Sequence, residues 1–155
     1  LFCLRMIRWF IPFLFMTVPV CGQEAETDAE SLLKRKFAST TKLLHKPPRP
    51  FFQGRPYNLE FFSDLPKDSV ETLALFFKTE TNLEYWEVPL EPYRGRYRFR
   101  YDPKLHPGEE ITYFFVAIMK NAGIYAVPLN GDGKLAPYYI RPVDPIKYYE
   151  SITPK

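Results

Sequence analysis

Residues 109–128 read Glu-Glu-Ile-Thr-Tyr-Phe-Phe-Val-Ala-Ile-Met-Lys-Asn-Ala-Gly-Ile-Tyr-Ala-Val-Pro, and this stretch decides the fold. Its first half is the longest β-branched and aromatic run outside the N-terminal region. Lys120-Asn121-Ala122-Gly123 interrupts it, and a second short apolar run follows. Asn and Gly tolerate positive φ at little cost, so the pattern predicts a β-hairpin with a slightly lengthened turn. On the first strand Ile111, Tyr113, Phe115 and Ala117 share one face, while Phe114, Val116 and Ile118 make the opposite face apolar as well. Successive strand residues point to opposite sides of a sheet, and a two-layer sandwich leaves one side of each sheet in water. A strand apolar on both sides therefore needs a cover: the segment 31–52, the tail with Ile146, Tyr148 and Tyr149, or another protein. For that reason Phe114, Val116 and Ile118 are candidate contact residues.

The chain has 155 residues, of which 46% are apolar and 17% aromatic, enough for one domain with appendages to bury a core. Sixteen prolines against seven glycines disfavour long helices and fit short strands joined by stiff connections. The formal charge of +3 includes Arg5 and Arg8, which fall in a segment expected to be removed; without them basic and acidic residues nearly balance. Such a balance argues against nucleic acid as a partner, because that binding rests on neutralising phosphates.

Residues 1–22 read as an export signal. Met6-Ile7-Arg8 is a basic start, with Met6 the expected initiator, and residues 9–20 form the apolar run. That run is too short to cross a bilayer, which takes about 20 residues. Val20-Cys21-Gly22 sets small residues for cleavage before Gln23. The alternative is a lipidated Cys21, which would tether the protein to a membrane surface. Cys3 and Cys21 are the two cysteines, so the mature chain is expected to hold together without a disulfide. The expected location is outside the cytoplasm, periplasmic or cell-surface, with the membrane reached only through the signal or a lipid on Cys21.

Residues 23–54 read as a linker. It begins acidic and polar, continues as an incomplete helical stripe of Leu32, Leu33, Phe37, Leu43 and Leu44 around Lys34-Arg35-Lys36, and ends in Pro47-Pro48-Arg49-Pro50. It is expected to be solvated, disordered at first and then partly helical. Residues 55–141 hold short strands at 57–62, 70–78, 84–90, 96–101, the hairpin and 136–141, with turn residues between them. Residues 142–155 form a tail without a clear period. About seven strands and no convincing helix predict an all-β fold, an antiparallel two-sheet sandwich of about 90 residues.

Leu-Ala-Leu-Phe-Phe at 73–77, Trp-Glu-Val-Pro-Leu at 86–90, Gly-Arg-Tyr-Arg-Phe at 95–99 and Ile-Thr-Tyr-Phe-Phe-Val-Ala at 111–117 are followed by a Gly turn and Ala-Val-Pro. This order resembles the immunoglobulin-like and fibronectin type III-like β-sandwich domains of bacterial exported envelope proteins. Such domains often place an acidic residue before the Gly turn, where this chain has Met119. The resemblance implies an accessory or binding module and carries no catalytic residue over.

The residues themselves point the same way. His45 falls in the linker and His106 in a Pro-flanked loop, and no metal-binding helix motif, nucleophile elbow or phosphate loop occurs. Adjacent Glu109 and Glu110 would project to opposite faces and cannot form one acid/base site. Asn130-Gly131-Asp132-Gly133 reads as turn chemistry, since it lacks the spaced acids and closing Glu of a calcium loop. No catalytic, cofactor or metal site is expected. Arg96, Arg98 and Arg100 instead alternate with Tyr97, Phe99 and Tyr101, with Arg94 in the preceding turn. Arginine forks suit carboxylates, phosphates and sulfates, so an acidic protein or an anionic polymer or glycan could bind there. Cross-strand pairing with Glu84, Glu87 or Glu91 is the plainer alternative. The expected function is a non-catalytic exported module acting by protein–protein contact in the cell envelope. The alternative is a carbohydrate-binding module stacking a sugar on Trp86, Tyr85 and Tyr93, which a Trp86 buried between the sheets would remove.

Overall fold

The computed structural model describes residues 28–39, 42–121 and 123–153; the export segment 1–22, with Cys21, lies outside them. Among the described residues nine strands and two short α-helices follow in order: α1 (Ala29–Lys34), β1 (Leu43–His45), β2 (Tyr57–Ser63), β3 (Val70–Thr79), β4 (Asn82–Pro89), β5 (Pro92–Tyr93), β6 (Arg96–Tyr101), β7 (Ile111–Met119), β8 (Ile124–Val127), β9 (Tyr138–Ile140) and α2 (Pro145–Ile152). They build two antiparallel sheets, one ordered β1-β2-β6-β5 and the other β4-β3-β7-β8, with β9 also on β7. The expected two-sheet sandwich is present, and its form is compatible with an immunoglobulin-like fold.

β7 is the central strand. It pairs along its whole length with β3, from Val70 opposite Met119 to Thr79 opposite Ile111, and shares its other side between β8 and β9. The predicted hairpin forms, closed by a bond from the Met119 N–H to the Gly123 carbonyl at 2.8 Å. Leu59 and Phe61 of β2 meet Leu73, Leu75 and Phe77 of β3 and Tyr113 and Phe115 of β7 between the sheets. The Phe61 and Phe115 rings stack there with centroids 4.7 Å apart. Removing each such side chain from water contributes roughly 1.5–3 kcal/mol.

A second core lies on the outer face of the larger sheet. Ala29 and Leu32 of α1, with Phe37 and Leu135, cover Ala74, Phe76, Phe114 and Val116. Phe76 and Phe114 stack almost parallel, 5.1 Å apart. The reading of 23–54 as a solvated linker is therefore corrected for its described part: α1 and Phe37 are the cover, β1 completes the smaller sheet, and Phe51 and Phe52 are buried. A six-residue helix is too short to display a period, and tertiary packing rather than propensity holds it.

The 129–135 loop clamps this cover in place. The Phe37 N–H donates to the Gly133 carbonyl at 2.8 Å, and Gly133 has φ +75°. A Cβ there would lie 2.8 Å from the Phe37 carbonyl oxygen, so both conformation and space require glycine. Asn130 Oδ1 accepts from the N–H groups of Asp132 and Lys134, which shapes the loop as turn chemistry. The tail is corrected too. Asp144 accepts from the Ile146 N–H at 2.8 Å, Pro145 opens α2, and Tyr148 packs on Phe52.

Candidate functional site

The outer face of the smaller sheet carries the most distinctive polar group in the molecule. β2 runs antiparallel to β6 with Glu60 opposite Arg98 and Asn58 opposite Arg100. Tyr97, Phe99 and Tyr101 pack into the inter-sheet core, so alternation turns Arg96, Arg98 and Arg100 outward beside Asn58, Glu60 and Phe62. Arg96 Nη1 donates to Glu60 Oε2 at 2.6 Å, with both side chains about one-third exposed, at 39% and 31%. The Arg96 guanidinium also lies 5.5 Å from the Phe62 ring centre.

Arg98 sits directly over Tyr93, 3.8 Å from the ring centre, and Arg94 lies against the same ring at 5.3 Å. Stacking on an aromatic face holds a guanidinium plane while leaving its edge donors free for an anion. Arg100 is exposed and pairs with no described residue. Of these four guanidinium groups, Arg96 is the one paired with a carboxylate among the described residues.

The turn that presents this patch is strained. Arg94 has φ 48° and Gly95 φ 81°, so both central residues of the β5–β6 turn are left-handed, as a two-residue hairpin with the strand twist requires. Glycine takes that conformation freely, whereas an L-residue with a long side chain costs about 1–2 kcal/mol there. The strain places a second arginine beside Tyr93.

Pairing of the arginines with Glu84, Glu87 or Glu91 does not occur. β4 and β5 are consecutive, but the chain passes from the larger to the smaller sheet between them, and β6 lies between β2 and the two-residue β5, not beside β4. Phe114 and Val116, candidates for an external contact, are 0% and 1% exposed beneath α1, and Ile118 packs on the same cluster. Their contact is with the chain's own residues: of the covers expected, the segment 31–52 supplies Leu32 and Phe37, so Phe114 and Val116 are not an external surface.

The three aromatics of the sugar-stacking alternative do not share a face. Trp86 packs into the inter-sheet core, edge-on to Phe77 at 5.1 Å. Tyr85 lies on the outer face of the larger sheet, with Lys78 Nζ 4.8 Å above its ring and Phe114 beside it. Tyr93 belongs to the other sheet. No single ring surface joins them.

The remaining titratable groups are built into the framework. His45 lies in β1, where its Nδ1 is 2.6 Å from the Glu60 carbonyl and its Nε2 is 2.9 Å from the Tyr113 hydroxyl. Burial holds its pKa below the ordinary value, against the opposing effect of the Glu60 carbonyl, and burial pushes the Tyr113 phenol up. His106 is packed among Trp86, Phe77 and Tyr101, and burial lowers its pKa against the pull of Asp102. At the surface, bonds from Tyr139 and then Arg141 hold the Glu110 carboxyl below the usual range. Among the described residues no three His, Cys, Asp or Glu side chains converge as a metal ion would need.

Sequence reasoning missed Glu60, Phe62 and the stacking role of Tyr93. The signal was present for the first two, because Glu60 and Phe62 alternate with buried Leu59 and Phe61. No protein-family model matches the chain, and no curated protein matches it.

Proposed function

We propose that the protein is a non-catalytic exported module that works by protein–protein contact in the cell envelope, through the outer face of its smaller sheet. The observation that carries this reading is the open arginine–aromatic patch, with Arg98 and Arg94 against Tyr93 and Arg100 exposed without a partner among the described residues. Such a patch suits the carboxylates of an acidic partner protein, and flanking Phe62 and Leu44, 44% and 61% exposed, add apolar contact area. Arginine and aromatic residues are the side chains that most often dominate binding energy at protein interfaces.

Export rests on the apolar run at 9–20, and a lipid on Cys21 would add a membrane tether. Mass spectrometry of the mature N-terminus separates cleavage before Gln23 from a lipid-bearing Cys21. The contact itself is tested by placing a photo-crosslinking residue at Asn58, beside Arg100, in the intact cell. A protein adduct that disappears in the Arg98→Glu/Arg100→Glu variant supports the reading. Saturable binding to anionic glycans with no protein adduct would replace it with a polymer-binding role.

A further inference from the structure

We propose that the free edge of β4, with the groove beside it, receives an extended basic segment of a partner protein as an added strand. Edge strands offer unpaired backbone groups, and native sheets blunt them by keeping edges short or guarded. Three of the edges here are short: β1 has 3 residues, β5 has 2, and the far side of β7 is divided between β8 with 4 and β9 with 3. β4 has 8 residues, pairs among the described residues only with β3, and carries no lysine or arginine. Its guards are Pro89 at its last position, the register shift between Trp86 and Asn82, and the charges of Glu84 and Glu87, which leave residues 86–89 as the regularly paired stretch.

The register identifies the outward backbone groups. The Leu90 N–H donates to the Leu73 carbonyl at 2.7 Å, and pairing is regular from Ala74 opposite Pro89 to Phe77 opposite Trp86. Antiparallel ladders alternate, so Val88 and Trp86 bond toward β3 while the N–H and C=O of Glu87 face the open edge.

An open groove of about 680 Å³ lies alongside, between α1 and the outer face of β3 and β4. Leu33, Phe76, Leu83 and Tyr85 give it an apolar lining, and Leu83 is 79% exposed. Its charges are Glu84 and Glu87, with Asp28 capping α1 and Glu30 paired with Lys34 at 3.7 Å, against Lys78, whose ammonium is already held over the Tyr85 ring. An added strand would bond to the β4 edge and lay alternate side chains along this groove, where lysine or arginine meets the carboxylates and an apolar residue meets Leu83 and Leu33. A second copy of β4 would instead set Glu84 and Glu87 against their own kind, which selects a basic partner over self-pairing.

The test uses the full chain and a synthetic peptide long enough to span β4, with Lys and Leu alternating along one face and Thr on the other. Saturable binding is expected, weakened about tenfold or more when Glu replaces Lys or when the peptide's edge-facing amides are N-methylated. Glu87→Pro, which removes an outward N–H, should weaken binding as strongly without changing the circular dichroism spectrum. If that variant misfolds, the N-methylated peptide asks the same question of the unaltered protein. Equal binding of the acidic or N-methylated peptide, or no saturable binding, overturns the proposal. So does concentration-dependent dimerisation abolished by Glu87→Pro, which would make a second copy the occupant. Arg98→Glu/Arg100→Glu, on the opposite side of the sandwich, should leave peptide binding unchanged, so this inference and the arginine-face function fail independently.

Discussion

The two outer faces of the sandwich obey the same alternation and meet opposite fates. On the larger sheet Phe76, Phe114 and Val116 point outward and are sealed under α1, Phe37 and Leu135. On the smaller sheet Arg96, Arg98 and Arg100 point outward and stay in contact with water, ordered by Glu60 and by the Phe62 and Tyr93 rings. Side-chain chemistry explains the difference. Apolar outward residues recruit whatever part of the chain can remove them from water, whereas guanidinium groups lose hydration if covered and so remain available to an anionic partner.

Removing the cover is the strongest way to break this contrast. Deleting the residues up to Phe37 should cost about 3–6 kcal/mol from the lost burial of Leu32 and Phe37 alone. It should also produce dye-binding apolar surface and new oligomers in sedimentation. Unchanged stability with no oligomers would show that the cover does not protect the outer face. Phe114→Ala follows, with a loss of about 3–5 kcal/mol in denaturant midpoint analysis at constant slope, because the side chain is fully buried in both sheet and cover.

Strain on the open face gives an intermediate effect of opposite sign. Arg94→Asn, which tolerates φ 48°, should raise stability by about 1 kcal/mol while removing one of the two guanidinium groups against Tyr93. Lower stability in that variant would mean that the cation–aromatic contact outweighs the backbone strain. At the small end, Arg100→Ala should shift stability by less than about 0.5 kcal/mol, as for other exposed residues without a partner. A large loss would show that the open face is structural.

The pH dependence concerns what both faces enclose. His45 and His106 are held neutral by burial, with folded-state pKa values below the 6.5 of the unfolded chain. As pH falls the unfolded state therefore takes protons first, so their contribution is complete above about pH 6.5 and is lost as pH drops through the folded values. His45→Gln should flatten the stability profile in that window, read by urea titration at successive pH values. A slope identical to that of the unsubstituted protein would remove His45 from the account.

Much of the sandwich was legible because each main strand carries its own period. Leu73, Leu75 and Phe77 mark β3, Tyr97, Phe99 and Tyr101 mark β6, and Asn121 and Gly123 mark the turn of the β7–β8 hairpin. β1, at three residues, and β5, at two, are too short to show alternation. α2 was not read from the sequence, because residues 142–155 show no clear period, although Asp144 before Pro145 is a cap followed by a first-turn proline. At the candidate site the outward arginines were readable, but their partners were not. Adjacency along the chain favoured Glu84, Glu87 and Glu91, while the fold supplies Glu60, 36 residues before Arg96.

The sequence by itself determined which residues of the main strands face inward, which alternate outward, and that Phe114 and Val116 require a cover. Those are local consequences of strand period and hydrophobicity. Only the tertiary structure decided that β4 and β5 part company into different sheets, that Ala29, Leu32 and Phe37 provide the cover, and that β4 is left with a free edge. The physical reason is that these are pairings between distant segments, set by how whole faces fit together after each strand's own pattern has been satisfied.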